Sequence, residues 1–214
     1  AKIIKSIESF LKILIFAARK TNRESIIRKY MAKISEKAVQ MPASAIRKLV
    51  PFADAAKKQG VKVYHLNLGQ PDIKSPACAL DAVRNYSQEN VSYSHSAGLM
   101  ELRKGLVEKY YRKIGIDITV DELIVTIAGS ESVNLALEIT CNPGDEVIVL
   151  EPFYTNYNTF AFMNGLTLKA IPTDIRNGFQ IPPIEEFEKA ITERTKAILV
   201  CNPGNPTGTQ YSKE

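Results

Sequence analysis

The chain has 214 residues, of which 45% are hydrophobic, enough for one large domain with a buried core. The net charge of +5 is mild, and basic residues alternate with acidic ones in segments such as 101–113, which argues against a nucleic-acid-binding surface. Three widely spaced cysteines and two histidines argue against a disulfide framework or a metal site, and they favour a reducing, cytoplasmic location.

Residues 1–30 form a pattern of their own. Apolar residues from Ile3 to Ala18 recur at helical spacing between lysines, which predicts a basic amphipathic helix that could lie on a membrane surface or dock on a partner. Its apolar stretch at 13–18 is too short to span a bilayer, and no convincing signal-peptide cleavage site precedes Arg19. We expect residues 1–40 to be a helical extension, and we leave open whether residues 1–30 belong to the functional fold.

Helical and strand patterns alternate after Met31. The helical patterns cover residues 45–58, 76–86, 99–113, 130–140, 156–163 and 184–191. The strand patterns cover residues 61–68, 123–127, 146–150, 166–171 and 197–200. Single helices between strands predict an α/β fold, a three-layer α/β/α sandwich with a mostly parallel sheet.

The segment 201–208 is the most informative motif. It reads Cys-Asn-Pro-Gly-Asn-Pro-Thr-Gly and follows the apolar strand pattern at 197–200. Each proline fixes its own φ and restricts the residue before it, here Asn202 and Asn205. One Asn-Pro pair would be typical of an ordinary turn, but two pairs at the carboxyl end of a strand predict a rigid support for an amide that contacts a ligand.

Three other segments could carry chemistry, and each has a plain structural alternative. Residues 128–130 precede a helix, where backbone N–H groups favour a phosphate, although Ser130 could simply cap the helix. Tyr154 follows a strand and could stack on a flat heterocycle or merely plug the core. Gly69 ends the pattern at 61–68, where a ligand could approach the backbone or the chain could form a β-turn. His95 is more typical of a loop residue than of a catalytic base.

The order of these segments is more specific than any one of them. The sequence resembles the class I aminotransferases of the pyridoxal-phosphate fold-type I superfamily, near the aspartate aminotransferase group, from about Met41 onward. The resemblance rests on motifs in one order: Leu-x-x-Gly-x-Pro-Asp ending at 72, Tyr-x4-Gly-x3-Leu-Arg from 93, Ala-Gly-Ser at 128, Pro-Gly-Asp-Glu-Val at 143, Pro-x-Tyr ending at 154 and Asn-Pro-x-Asn-Pro-Thr-Gly from 202.

The resemblance implies a pyridoxal 5'-phosphate cofactor and a homodimer. The residues implied to contact the cofactor are Ala128, Gly129 and Ser130 at the phosphate, Tyr154 on the ring, Asn205 at the phenolic oxygen and Tyr93 at the phosphate of the neighbouring subunit. Gly69 is implied to meet the substrate carboxylate through its N–H. The implied activity is transamination between an amino acid, by default aspartate, and a 2-oxo acid.

We expect the Schiff-base lysine to lie beyond Glu214, so that no catalytic residue is assigned in this chain. Lys213 is too close to Asn205 to take that role. We expect residues 41–66 to contribute to a small domain and residues 67–214 to form an incomplete cofactor-binding large domain. A lyase or decarboxylase of the same fold and a non-enzymatic, aminotransferase-like sensor domain are the alternatives.

Overall fold

A computed structural model describes residues 34–42, 44, 46–87 and 89–212 of the chain. The amphipathic helix predicted over residues 1–30 lies outside these residues. The chain divides into two compact units, Ala1–Met41 and Pro42–Glu214. In the described part of the first unit, helix α1 (Glu36–Gln40) begins at Ser35, whose hydroxyl accepts a hydrogen bond from the Ala38 N–H at 3.1 Å.

The second unit holds the remaining described elements, which alternate between helices and strands. Its helices are α2 (Val50–Lys58), α3 (Ala77–Arg84), α4 (Met100–Leu106), α5 (Gly129–Thr140), α6 (Asn156–Asn164) and α7 (Ile184–Ala190). A π turn (Val107–Tyr111) and a 3-10 turn (Arg112–Ile114) extend α4, and further 3-10 turns lie at Arg47–Leu49, Val120–Glu122 and Ile175–Asn177. The strands are β1 (Glu146–Glu151), β2 (Thr167–Pro172) and β3 (Thr195–Leu199). No helix in these described ranges is long and apolar enough to cross a bilayer.

The three strands form a parallel sheet in the order β2-β1-β3. Consecutive parallel strands are joined by crossover connections, which contain α6 between β1 and β2 and α7 between β2 and β3. The register of β1 with β3 skips one residue: Glu146 pairs with Thr195 and Val147 pairs with Ala197, so that Lys196 forms a β-bulge. The architecture is therefore the α/β fold that the sequence predicts.

The hydrophobic core lies between β1 and the helices α5 and α6. Val147 and Val149 are fully buried on the side of β1 that faces these helices. They pack in one cluster with Leu137, Tyr157, Phe160, Ala161 and Leu166. Ile148 points to the opposite side of β1 and is also fully buried, so both faces of the central strand are covered.

Most predicted elements are confirmed to within a few residues, but two predicted strands are wrong. The segments 61–68 and 123–127 form no ladder with any described strand. Their apolar side chains are largely uncovered, with Leu66 96% and Ile127 94% exposed. An apolar run becomes a strand only where another strand offers its N–H and C=O groups, and no described strand lies beside these two segments.

Candidate functional site

The carboxyl ends of β1 and β3 lie at the same edge of the parallel sheet, and they bring two predicted site segments together. The chain leaves β1 toward Tyr154 and leaves β3 toward Asn205. One small cavity of about 20 Å³ is lined from both segments, by Phe153 and Tyr157 on one side and Asn205 on the other. Such a volume holds little more than a water molecule, so this cavity is too small for a flat ring.

The loop after β3 is fixed by its own hydrogen bonds. The Gly204 N–H donates to the Thr209 carbonyl at 2.8 Å, and the Gly208 N–H donates to the Gly204 carbonyl at 2.7 Å. A Cβ atom on Gly204 would lie 2.5 Å from Oγ1 of Thr207, so a larger residue there would displace the Thr207 side chain. The loop is thus a rigid support, as the two Asn-Pro pairs predict; both of these peptide bonds are cis.

The two asparagines of this loop differ in what their amides do. Oδ1 of Asn202 accepts from the Tyr211 N–H at 3.1 Å, and its Nδ2 donates to the Tyr211 carbonyl at 3.4 Å. Asn205 is exposed, and its amide makes no hydrogen bond within the described part of the chain. Asn202 therefore holds the loop together, whereas Asn205 keeps its donors and its acceptor available for a ligand.

Tyr154 lies in an aromatic cluster at the end of β1. Its ring meets that of Tyr157 edge-on at 5.6 Å, and its hydroxyl accepts a hydrogen bond from Nδ2 of Asn156 at 2.7 Å. Tyr157 in turn stacks on Phe153 at 6.2 Å. The ring of Tyr154 is therefore held in place while remaining half-exposed, as a stacking surface requires.

The N-terminus of α5 presents a second group of free donors. Ala128 is the extended residue before the helix, and no side chain caps it. The N–H groups of Gly129 and Ser130 and the Ser130 hydroxyl have no acceptor among the described residues, and all of residues 128–130 are exposed. The alternative that Ser130 caps the helix is therefore wrong. Glu131 instead accepts the Ile127 N–H at 2.6 Å, which closes the turn before the helix.

Helix α5 lies on the same side of the sheet as Tyr154. Val133, one turn into α5, and Tyr154 both pack against the core cluster, and Nδ2 of Asn164 in α6 donates to Oδ1 of Asn134 in α5 at 2.9 Å. The free donors at 129–130 therefore belong to the layer of helices that also carries the aromatic cluster.

The structure does not bring Gly69 or Tyr93 to this edge through any described contact. Gly69 is exposed, with open space where a Cβ would lie. Tyr93 is fully exposed at 106%, so its side chain leans on nothing in the described chain. A larger cavity of about 420 Å³ lies against α6, next to Pro42 and Ser44, and none of the predicted site residues lines it.

Sequence reasoning missed the residues beneath the site. Burial, followed by the neighbouring Cys201 thiol, raises the pKa of Tyr157 to about 12, so this hydroxyl keeps its proton well into the alkaline range. The Cys201 thiol itself donates to the Pro203 carbonyl at 3.3 Å. The dense aromatic stretch at 153–157 was the available signal for Tyr157, but nothing in the sequence shows that Cys201 meets it.

Glu146, at the opposite end of β1, is a buried carboxylate with no part in the site. It is 2% exposed, accepts from the Thr192 hydroxyl at 2.8 Å and pairs with Arg194 at 2.6 Å and with Lys169 at 3.8 Å. The Thr192 and Arg194 hydrogen bonds lower the pKa of this carboxyl. These contacts stabilise the amino end of the sheet, whereas ligands of open α/β sheets bind at the carboxyl end.

The donor set fits a ligand that carries an anionic group and a flat ring. Free N–H groups at the N-terminus of α5 suit a phosphate, and the half-exposed ring of Tyr154 suits a heterocycle. The free amide of Asn205 suits an oxygen on that ring. Tyr154 and Asn205 follow the carboxyl ends of β1 and β3, and the donors at 129–130 lie in the helical layer on the same side of the sheet as Tyr154. This arrangement is typical of ligand-binding α/β proteins.

Comparisons with known proteins agree with this class. Residues 61–214 match the model of the family described as aminotransferase class I and II. The chain is 36% identical over 185 residues to the aspartate/prephenate aminotransferase of Thermus thermophilus, covering 86% of this chain and 48% of that protein. It also resembles the solved structure of an alanine aminotransferase from Pyrococcus furiosus, with 37% identity and a TM-score of 0.75 over 85% of this chain and 47% of that one.

A third comparison includes a bound ligand in its description. The Thermus thermophilus aspartate aminotransferase with maleate is 35% identical, with a TM-score of 0.77 over 86% of this chain and 48% of that chain. The chain belongs to the class I and II aminotransferases, a family that generally depends on pyridoxal 5'-phosphate. It spans about half the length of the curated relatives it matches.

Proposed function

We propose that the protein carrying this chain is a pyridoxal 5'-phosphate-dependent aminotransferase. It transfers an amino group between an amino acid, by default aspartate, and a 2-oxo acid. The observation that carries the proposal is the free amide of Asn205 on a hydrogen-bonded loop at the carboxyl edge of the sheet. Family membership adds the reaction class, and the relatives named for aspartate support the default substrate.

The described residues supply three kinds of contact to such a cofactor. The N–H groups of Gly129 and Ser130 and the Ser130 hydroxyl donate to phosphate oxygens, with Ala128 shaping the turn that exposes them. The ring of Tyr154 lies against the pyridine ring, and the Asn205 amide donates to the phenolic oxygen. When bound, the cofactor supplies an electron sink and a carrier for the amino group.

Two further contacts extend the proposal beyond this edge of the sheet. The N–H of Gly69 binds the substrate carboxylate, and the open space around this residue supports a close approach. Tyr93 reaches the phosphate of the neighbouring subunit in a homodimer, and its complete exposure in the single chain supports that role. Sedimentation of the protein expressed from its complete reading frame is expected to show a dimer, and a stable monomer that binds the cofactor would contradict the role of Tyr93.

The domain division and the location complete the proposal. Residues 1–40 are an extension, residues 41–66 contribute to a small domain and residues 67–214 form part of the cofactor-binding domain. The three cysteines, Cys78, Cys141 and Cys201, are all free thiols, which supports a reducing compartment such as the cytoplasm.

A titration with pyridoxal 5'-phosphate tests the proposal in the protein expressed from its complete reading frame. We expect a saturable absorbance change in the wild type and an affinity about tenfold weaker in Asn205→Ala, the effect of losing one hydrogen bond to a charged acceptor. Asn85→Ala removes an exposed asparagine side chain outside the site and is expected to bind like the wild type. A wild-type protein that binds no pyridoxal 5'-phosphate would sink the proposal.

The product distinguishes transamination from lyase or decarboxylase chemistry. With aspartate and 2-oxoglutarate, an aminotransferase forms glutamate in an amount equal to the aspartate consumed. Consumption of aspartate without any need for the 2-oxo acid, or with release of carbon dioxide, would assign the fold to the other chemistry. Repeating the assay with alanine as donor tests the default substrate.

A further inference from the structure

Arg103 is the one arginine of the described chain whose whole residue is buried, with 4% exposure. It lies in α4, and its guanidinium donates from Nη1 to the Val120 carbonyl at 2.8 Å and from Nε to the Gly98 carbonyl at 3.3 Å. Among the described residues no carboxylate pairs with it. A buried guanidinium is costly unless its N–H groups are used, so these two carbonyls account for its place in the fold.

The acceptor at Gly98 belongs to the turn that follows Tyr93. The Gly98 N–H donates to the His95 carbonyl at 2.8 Å, and the Ala97 N–H donates to Nδ1 of His95 at 3.1 Å. Tyr93 stands two residues before this turn and has no side-chain contact of its own. The turn 95–98, which Arg103 holds at Gly98, therefore fixes the point of the backbone from which the segment with Tyr93 extends.

The acceptor at Val120 belongs to the segment that leads into the N-terminus of α5. Val120 begins a 3-10 turn that is fixed by a capping box between Thr119 and Glu122. The chain then runs extended through Val125, whose N–H donates to the Ala97 carbonyl at 3.0 Å, and enters α5 at Gly129. Arg103 thus holds both ends of a unit made of the turn 95–98 and the segment 120–125.

Close packing makes this unit stiff. Gly98 has a φ of +96°, and a Cβ atom there would lie 2.6 Å from Cβ of Val125. Movement of either segment therefore displaces the other, and the guanidinium bridging their carbonyls fixes the relative position of the two. A lysine carries the same charge, but its single ammonium group cannot reproduce the planar fork that reaches two carbonyls at once.

We propose that Arg103 is a positioning residue that places Tyr93 and residues 128–130 in one rigid frame, so that one side chain sets the phosphate contact a subunit makes for itself and the contact it offers to its partner. The assignment of phosphate as the ligand rests on the proposed function. The mechanical part, the bridge between the two segments, rests on the contacts of Arg103 alone. The two parts are tested separately.

The test compares Arg103→Lys and Arg103→Met with the matched control Arg112→Met, which removes an exposed arginine just after the same helix. Hydrogen exchange of the cofactor-free protein, expressed from its complete reading frame, measures the frame directly. We expect the exchange rates of the Gly98 and Val125 amides to rise about tenfold or more in both Arg103 variants. A rise of this size corresponds to the loss of one hydrogen bond from a charged group. Amides of β1 are expected to exchange as in the wild type.

A titration with pyridoxal 5'-phosphate measures the consequence for the ligand. We expect the dissociation constant to rise about tenfold in both Arg103 variants and to stay unchanged in Arg112→Met. Arg103→Lys keeps the charge and most of the packing, so it provides the result if Arg103→Met does not fold.

Unchanged exchange at both Gly98 and Val125 would overturn the proposal, and so would an increase spread equally over β1, which marks a general structural role. A wild type that binds the cofactor together with Arg103 variants that bind it equally well would overturn the positioning role and leave the proposed function intact. A wild type that binds no cofactor would overturn the proposed function and the phosphate assignment, while the exchange result still decides whether Arg103 holds the frame.

Discussion

Residues 129–212 and the described part of residues 46–128 are stabilised in different ways. The later stretch contains the sheet and every member of the hydrophobic core cluster, with Val147 and Val149 fully buried. In the earlier stretch only Arg103 and Val107 are buried among the described residues, and large apolar side chains such as that of Leu66 are exposed. Apolar burial holds the later stretch, whereas hydrogen bonds to a few backbone groups hold the earlier one.

The comparison teaches that similar apolar patterns are used differently along one chain. In the later stretch an apolar residue is a structural necessity, because neighbouring strands and helices cover it. In the earlier stretch we expect the stability of the described chain to depend on Gly98 and Arg103. Many apolar residues of that stretch are expected to be replaceable with little loss of stability. Substitutions at chosen positions test this contrast.

The largest effect is expected for Val149→Asp, which places a carboxylate in the fully buried centre of β1. We expect it to cost at least about 4 kcal/mol of the free energy of unfolding, because the charge has no partner there. The matched change Leu66→Asp, at a residue 96% exposed, is expected to stay within about 0.5 kcal/mol of the wild type. Urea unfolding followed by circular dichroism measures both. Equal losses would remove the contrast between the two stretches.

The next effect is expected for Gly98→Ala in the earlier stretch. The added Cβ would meet Val125 at 2.6 Å in a backbone with a φ of +96°, and we expect a loss of about 2–4 kcal/mol. Gly60→Ala is the control, because Gly60 also has a positive φ, +78°, but nothing within 4 Å of the new Cβ. It is expected to cost only about 1 kcal/mol. Thermal unfolding of both variants measures the two losses of stability. Equal losses would contradict the close approach of Gly98 to Val125.

A smaller effect separates the two asparagines of the loop after β3. Asn202→Ala removes both hydrogen bonds to the backbone of Tyr211, and we expect it to cost about 1–2 kcal/mol. Asn205→Ala removes an amide with no partner and is expected to lie within about 0.5 kcal/mol of the wild type. The order of the two unfolding midpoints is the measurement. A larger loss for Asn205→Ala would mean that its amide serves the fold.

The smallest effect at neutral pH is expected for Tyr157→Phe, which loses under about 1 kcal/mol with the hydroxyl. The effect of the Tyr157 hydroxyl on stability becomes measurable at alkaline pH. The pKa of Tyr157 is raised from 10.0 to about 12 by burial and by Cys201, so the folded state keeps the proton where the unfolded state has lost it. The stability from this group is complete below pH 10 and declines as the pH rises through about 12.

Tyr157→Phe is therefore expected to flatten the fall in stability over that interval, measured from unfolding midpoints at several alkaline pH values. Tyr93→Phe, at a fully exposed tyrosine, is the control. Its stability is expected to fall with pH as that of the wild type does. A wild-type profile in Tyr157→Phe would contradict the raised pKa.

The sequence predicts the central fold well for a physical reason. The three strand patterns at 146–150, 166–171 and 197–200 are apolar, bounded by turn residues and separated by helices, and each becomes a strand of the sheet. The patterns at 61–68 and 123–127 are also rich in apolar residues, but they do not become strands. A pattern reports that a segment suits a sheet, but it contains no information about whether a partner strand lies beside it.

The candidate site shows the same limit at the level of single side chains. Two Asn-Pro pairs predict a rigid loop, and the hydrogen bonds of the loop bear this out. Which asparagine the fold uses for itself depends on Tyr211, several residues further on, and only the structure shows it. In the same way, the buried position of Arg103 depends on carbonyls at Gly98 and Val120, and a backbone acceptor leaves no trace in the sequence.

The bulge at Lys196 has a consequence for which side chains of β3 face the core. Side chains on a strand alternate between its two sides, so one extra residue exchanges the sides for all that follow. Thr195 remains paired with Glu146, while Ala197 and Leu199 join Val147 and Val149 in the core. The number of residues between Thr195 and Leu199, where β3 ends, is thus a constraint in itself, one that depends on odd or even count rather than on chemical type.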